Sequence, residues 1–204
     1  MSTPEYVYRD AQPQCSHEYV TQPVLKMCRQ IRAQRVIDVG CGNGVLCGAL
    51  AQAGMDVVGC DVSPSGLAIA RVNFPQVEFV QHSVYDSPGA LADRKFDAVI
   101  ATEVIEHLYE PGALLRFATA VLKPAGHVIL STPYHGYLKN IAIAMLGKWD
   151  RHHAPNWDGG HVKFFSKATL DSLLVSHAFK ALEWRGVGRG PGFWKSVIVL
   201  ARKT

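Results

Sequence analysis

The chain has 204 residues, 48% of them apolar and 19% charged, with a formal net charge of +4. That composition excludes a disordered polar segment and supplies enough apolar material for one sizeable core. No stretch concentrates Lys and Arg as a nucleic-acid footprint would, so nucleic acid is not the expected partner. No apolar run approaches the ~20 residues of a membrane span. The start, Met-Ser-Thr-Pro-Glu, shows no basic region leading into an apolar one, so no secretory leader is expected. The five cysteines, Cys15, Cys28, Cys41, Cys47 and Cys60, form no C-x-x-C pair. Their odd number and apolar surroundings fit reduced thiols in a cytoplasmic protein.

In chain order, residues 1–20 carry Tyr6, Tyr8, His17 and Tyr19 without clear periodicity. Pro23 is expected to precede a short amphipathic helix with Val24, Leu25, Cys28 and Ile31 on one face. Arg35 to Gly40 reads as a first strand and Gly44 to Ala53 as the helix after it. A second strand, from Met55, ends at Asp61. Ser63 suits an N-cap and Pro64 the first helical position of the next helix. Val77 to His82 alternates as a third strand, and Phe96 to Ala101 forms a fourth. A helix starts at Pro111, with Leu114, Leu115, Ala118, Val121 and Leu122 on its apolar side. Lys123 to Gly126 is an expected turn, and His127 to Pro133 a fifth strand. Strand and helix in regular alternation predict an α/β fold with a doubly wound, mostly parallel sheet covered on both faces.

Residues 134–165 break that rhythm. They hold an apolar helix-like piece, Ile141 to Leu146, and then a tract with Trp149, Arg151, His152, His153, Trp157, Asp158, Gly159 and His161. A long insertion of this kind reads as a substrate lid. The apolar piece, residues 137–149, offers a face for a lipophilic acceptor or for peripheral membrane contact. Lys148, Arg151, His152 and His153 could meet an anionic substrate. Ser166 is an expected cap for a helix carrying Leu170 and Leu174. Phe179 to Arg185 and Trp194 to Ala201 then read as an antiparallel C-terminal hairpin around a glycine-rich loop, Gly186 to Gly192.

The chemistry is concentrated at two places. The first is Asp38-Val39-Gly40-Cys41-Gly42-Asn43-Gly44, a strand running through a glycine turn into a helix. Glycines allow unusual backbone angles there and let a ligand touch bare backbone. About twenty residues on, Asp61 ends the second strand, where a carboxylate can accept from a ribose diol. The spacing departs from the dinucleotide pattern G-x-G-x-x-G, because Val45 fills the slot of the third glycine. Asp38 would repel a pyrophosphate and tolerate a cationic ligand. The second place is Thr102-Glu103-Val104-Ile105-Glu106-His107. If that piece is helical, Glu103 and His107 are four apart and share a face, with Glu106 beside them. Three readings stand side by side: Glu103, Glu106 and His107 bind a divalent ion; His107 or His161 acts as a general base oriented by Glu106; or Glu103 touches the cofactor and Glu106 caps or pairs on the helix.

The stretch D-V-G-C-G-N-G resembles the first motif of the class I S-adenosylmethionine-dependent methyltransferases. E-V-I-E-H-L, L-K-P-A-G, S-T-P and H-V-K-F-F-S resemble the ubiquinone-pathway O-methyltransferase branch of that class, and E-x-x-E-H also occurs in small-RNA 2′-O-methyltransferases. The resemblance covers residue 35 to the end and implies a Rossmann-like sheet with a lid after the fifth strand. On this reading residues 1–204 are one methyltransferase domain, 1–34 an N-terminal cap that folds over the cofactor, and 134–165 the lid. It further implies S-adenosylmethionine as methyl donor, held by Asp38, Gly40, Cys41, Gly42, Gly44, Asp61, Val62, Ser83, Val84, Thr102 and Glu103. His17 or Tyr19 could also touch it. The implied activity is methylation of a hydroxyl on a small phenol- or quinol-like acceptor, with a magnesium or zinc ion or a histidine base at Glu106, His107 and His161. Sugar, lipid and RNA hydroxyls are the alternative acceptors. A nucleotide-dependent dehydrogenase on a similar sheet is the competing enzyme class.

Overall fold

The computed structural model describes residues 7–8, 10, 12, 16–153, 156 and 160–204, with Arg151 and His152 described in backbone only. Tyr6, Cys15, Trp157, Asp158 and Gly159 therefore lie outside the described residues. In chain order the elements are α1 (His17–Gln30), β1 (Arg35–Val39), α2 (Val45–Gln52), β2 (Asp56–Asp61), α3 (Pro64–Asn73), β3 (Glu78–Gln81), α4 (Leu91–Arg94) and β4 (Phe96–Thr102). A single 3₁₀ turn, Ile105–His107, separates β4 from α5 (Gly112–Val121). There follow β5 (Leu122–Pro133), α6 (Tyr137–Met145), α7 (Trp149–His153), α8 (Lys167–Ser176), β6 (Phe179–Val187) and β7 (Ser196–Lys203).

The seven strands form one sheet in the order β3-β2-β1-β4-β5-β7-β6. The first five run parallel, and β7 is antiparallel to both β5 and β6. Strand order reverses between β1 and β4, so the carboxyl ends of these two strands open a crevice, the usual ligand position in such sheets. Alternation along β1 divides its residues between two cores. Ile37 and Val39 join Val99, Leu114, Leu115 and Leu170 on one face. Val36 joins Val20, Val24, Met27, Leu46 and Leu50 on the other. Asp38 has the same parity as Val36 and is buried on the α1–α2 side.

Several boundaries differ from the sequence expectation. Helix α1 starts at His17 and contains Pro23 within it. A proline there deletes one backbone bond. The buried stripe Val20, Val24, Met27 and Cys28 offsets that loss by anchoring the helix to the sheet. The turn expected at Lys123–Gly126 is instead part of β5. Phe96 pairs with Leu122 and Ala98 with His127, so the extra residues bulge out of the ladder. Ser166 does cap α8, in a reciprocal capping box with Thr169.

Candidate functional site

The glycine turn after β1 is the first wall of the site. Gly40, Gly42 and Gly44 all have positive φ. A Cβ on Gly40 would overlap the Val104 side chain, and one on Gly42 the Tyr8 ring. Glycine suits the backbone angle at both positions, and at Gly40 the Val104 side chain also leaves no room for a Cβ. The turn differs from a phosphate cradle in one respect. The amides of Gly40 and Cys41 both donate to the Cys60 carbonyl, and Gly42 N–H donates to Asp61 Oδ2 at 2.8 Å. These donors are already bonded, so the turn offers little to an anion. What it offers is a carboxylate. Asp38 is 1% exposed, its Oδ2 accepts a weak bond from Cys47 Sγ at 3.3 Å, and its Oδ1 has no partner. Burial pushes Asp38 up to about 7. An unpaired buried carboxylate oxygen beside a glycine turn fits the ammonium group of S-adenosylmethionine.

Asp61 is buried, with Oδ1 accepting from Ser63 N–H at 2.8 Å and Oδ2 from Gly42 N–H. Val62 N–H also reaches this carboxylate, so about one of its roughly four acceptor positions remains open for a ribose hydroxyl. Val62 follows with its side chain exposed. Ser83 closes a small turn, accepting from Tyr85 N–H at its hydroxyl and from Asp86 N–H at its carbonyl. Val84 packs against the core, while His82 N–H donates to the Asp61 carbonyl and sets this turn beside the tip of β2. The cavity over the glycine turn is lined by Tyr8, Ser16, His17, Asp38, Thr102 and Glu103, among others, and measures only about 40 Å³. Asn43 Nδ2 donates to the Asp10 and Gln12 carbonyls, and Tyr8 N–H to Ser65 Oγ. Tyr8, Asp10 and Gln12 thus lie across the turn. Tyr19 instead stacks beneath Lys195 Nζ, 5.0 Å from its ring centre.

The second wall departs from expectation. The piece after β4 is not a continuous helix. Glu103 sits at φ 55° and helical geometry begins only at Ile105. Glu103 and His107 therefore do not share a helical face. Glu103 turns toward the sheet: its N–H donates to the Ser131 carbonyl, its Oε1 accepts from Ser131 Oγ at 2.7 Å and its Oε2 from Ser196 Oγ at 3.1 Å. A left-handed non-glycine residue at a strand end is strained, and its surroundings must hold it there. Burial raises the Glu103 carboxyl, and the two serine hydroxyls and Lys139 pull it back.

Glu106, His107 and His161 come together without Glu103. Their ligand-capable atoms all lie within 4.8 Å of one another. The Glu106 carbonyl accepts from both Val162 N–H at 2.9 Å and Lys163 N–H at 3.0 Å, which ties the lid's return strand to the 3₁₀ turn. That pairing carries His161 to 4.0 Å from Glu106 Oε1 and to a ring distance of 4.9 Å from His107. His107 Nδ1 meets the Gly160 carbonyl at 3.2 Å. No hydrogen bond of ordinary length reaches either carboxylate oxygen of Glu106, although the side chain is 1% exposed and the Thr132 hydroxyl and His161 stand beside it. Burial, then the nearby Glu103, push Glu106 well above the usual carboxylate range. Two imidazoles and a buried carboxylate form a donor set that fits a divalent cation.

A family profile described as "Methyltransferase domain" matches residues 11–183. The chain belongs to that family. A relative from Azorhizobium caulinodans named ubiquinone biosynthesis O-methyltransferase is 32% identical over 176 residues, covering 82% of this chain and 68% of the relative. One of the same name from Cereibacter sphaeroides is 28% identical over 192 residues, covering 88% and 76%. Among solved structures, magnesium protoporphyrin IX methyltransferase from Synechocystis, with bound SAH, superposes with a TM-score of 0.70 at 21% identity. That match covers 91% of this chain and 82% of the other, and it shows the shared fold. The methyltransferase uses S-adenosylmethionine as methyl donor, and no described helix is long and apolar enough to cross a membrane. Sequence reasoning missed Tyr8 as part of the turn's cover, Val104 as the reason for Gly40, and Ser131 and Ser196 as the partners of Glu103. Only the serines leave a local trace, as small polar residues at strand ends.

Proposed function

We propose that this methyltransferase methylates a hydroxyl of a small, partly lipophilic, phenol- or quinol-like acceptor at Glu106, His107 and His161, with a divalent ion held there. The observation that carries this reading is the Glu106 carboxylate, buried beside two imidazoles with neither oxygen in a hydrogen bond of ordinary length. A buried carboxylate in that state stays neutral or takes a cation. A divalent ion bound there would lower the pKa of an acceptor hydroxyl and orient it. The residues themselves hold the acceptor in line with the donor, and the lid excludes water from the sulfonium. The second reading makes His161 a general base paired with Glu106, on the strength of their 4.0 Å approach. Both readings put the transferred methyl on oxygen. The O-methyltransferase names of the relatives support that acceptor atom.

The test offers catechol and labelled S-adenosylmethionine to protein stripped with a chelator, its metal content checked by elemental analysis. Turnover is expected to fall at least tenfold and to return with magnesium or zinc. Full turnover in verified metal-free protein would remove the ion and leave the base. Methyl on carbon or nitrogen, or no transfer to any hydroxyl, would overturn the reading.

The lid supports the lipophilic part. Tyr137, Leu138, Met145, Leu146 and Trp149 are all more than half exposed, along one short stretch. Contiguous apolar exposure of this kind marks an interaction surface, here a lipophilic acceptor or the membrane that carries it. Met145, 82% exposed, is the best probe. Met145→Asp is expected to lower binding to anionic-lipid vesicles about tenfold and to raise KM for a long-chain catechol while leaving catechol itself unchanged. Equal vesicle binding by both proteins would sink the membrane part.

A further inference from the structure

Two carboxylates, Asp38 and Glu103, border the cavity over the glycine turn, and the methyl donor brings two positive charges to it. Asp38 suits the ammonium. Glu103 stands outside the group formed by Glu106, His107 and His161. Of the described non-glycine residues with positive φ, Glu103 alone borders this cavity. Three strand ends converge on it. Its N–H donates to both the carbonyl and the Oγ of Ser131, each at 3.1 Å. Ser131, beside Thr102 in the β4–β5 ladder, and Ser196, opposite Pro133 at the start of β7, are fully buried. Each donates its hydroxyl to one Glu103 oxygen, at 2.7 and 3.1 Å respectively.

Backbone strain at a cavity wall persists only where the surroundings hold it, and here they also fix the direction of the carboxylate. The serines do so without neutralising it. A hydroxyl donor favours the ionised form, and each oxygen keeps acceptor capacity. Among the described residues, no lysine, arginine or histidine forms an ion pair with Glu103. Burial raises this carboxyl, so a cation arriving with the ligand is what would favour its charge.

The two charges of the donor differ in what they carry. The sulfonium bears the methyl group, so it lies nearer than the ammonium to an acceptor at Glu106 and His161. Glu103 precedes Glu106 by three residues, whereas Asp38 lies on the neighbouring strand, before the glycine turn. We infer that Glu103 is the counter-charge of the sulfonium, and that it makes the site favour the charged donor over the neutral thioether left after transfer. The assignment of the two charges rests on the hydroxyl-methylation reading of Glu106 and His161. A carboxylate beside the sulfonium stabilises the bound donor more than the transition state, in which that charge is already being discharged. Its effect is therefore on donor affinity and product exchange, and Ser131 and Ser196 are positioning residues that act through it.

The experiment compares three ligands that share the ammonium and the ribose. S-adenosylmethionine carries a sulfonium, sinefungin an amine in its place, and S-adenosylhomocysteine an uncharged sulfur. Each is titrated calorimetrically into ligand-free protein at neutral pH. The affinity of S-adenosylmethionine relative to S-adenosylhomocysteine is expected to fall about tenfold or more in Glu103→Gln, and that of sinefungin with it. Ser196→Ala loosens the carboxylate without removing it. It is expected to lower both ratios about threefold, and it carries the test should Glu103→Gln not fold. A merely structural role for Glu103 would weaken all three ligands together and leave the ratios in place. Ratios that hold in both variants overturn the inference. So do ratios that fall in Asp38→Asn while holding in Glu103→Gln, which would give the sulfonium to Asp38. Ratios that fall in Glu103→Gln although no hydroxyl is methylated would keep the counter-charge and sink the reading it rests on.

Discussion

Asp38→Asn is expected to make the ligand-free protein more stable at pH 8 and to weaken S-adenosylhomocysteine binding about 100-fold. Asp38 is fully buried, and burial lifts its carboxyl from the ordinary 3.8 to about 7. Below pH about 4 the folded and unfolded chains both hold the proton, and the carboxyl costs nothing. Between about 4 and 7 the unfolded chain loses its proton while the folded chain keeps it, so stability falls as pH rises. Above about 7 both are ionised, and the fold carries the full cost, on the order of 4 kcal/mol at about 1.4 kcal/mol per tenfold. Asparagine removes that cost but leaves a carboxamide only partly bonded, roughly 1–3 kcal/mol. The net gain should appear as a melting temperature roughly 3–8 °C higher at pH 8, crossing zero between about pH 4.5 and 6 and turning into a loss near pH 4. The same substitution leaves the ligand's ammonium without its counter-charge. In the unaltered protein, affinity should also weaken below pH 7, by up to tenfold per pH unit, because binding must expel the Asp38 proton. Calorimetric titration across pH 5.5–8 with thermal melts of both proteins checks each part. A variant that is less stable at pH 8, or that binds S-adenosylhomocysteine normally, would show that Asp38 is a core residue and no ligand.

The contrast between what was legible in the sequence and what was not follows the range of the contacts. The parallel core was legible because each strand and helix announces itself by local periodicity, and because Asp38, the glycines and Asp61 fall at fixed offsets along one β-α-β unit. Asp38 itself could be read because a charged residue in an otherwise apolar strand is conspicuous. The antiparallel hairpin followed from alternation at Phe179–Val187 and Ser196–Lys203. Glu103 was misread because helical spacing was extended one turn too far toward the amino end. Its actual partners, Ser131 and Ser196, are 28 and 93 residues away, and no local pattern encodes them. The meeting of His161 with Glu106 was expected only through resemblance; what creates it is two backbone bonds from Val162 and Lys163 to one carbonyl. Pro23 was taken as a helix boundary because its local cost is fixed by its chemistry, whereas the tertiary burial of Val20 and Val24 that outweighs it is not written in any short window.

Glu106→Gln is expected to separate chemistry from donor binding more cleanly than any other single change. Turnover should fall by 10²–10³, while affinity for S-adenosylhomocysteine stays within about threefold, since the bonded groups of the donor cavity, Asp38, Gly42 and Asp61, are untouched. Glutamine keeps the size of the side chain and removes a carboxylate that burial and the neighbouring Glu103 hold protonated well above the usual range. For such a group the stability contribution is present at low pH and is lost as pH rises from the ordinary carboxylate value toward the raised one. The metal-free variant should therefore melt no lower than the parent at pH 8, which removes unfolding as the cause of lost activity. A divalent ion requires Glu106 to ionise, so its binding to the parent should release a proton. Metal titrations in two buffers of different ionisation enthalpy would reveal that proton, and it should vanish in the variant together with most of the metal affinity. His161→Ala supplies the other half. If the ion is the agent, both variants lose metal and turnover together. If His161 is the base, His161→Ala loses turnover while metal affinity and its proton release never appear in either protein. Normal turnover in Glu106→Gln would remove the 3₁₀ turn from the chemistry altogether and place the acceptor elsewhere along the crevice.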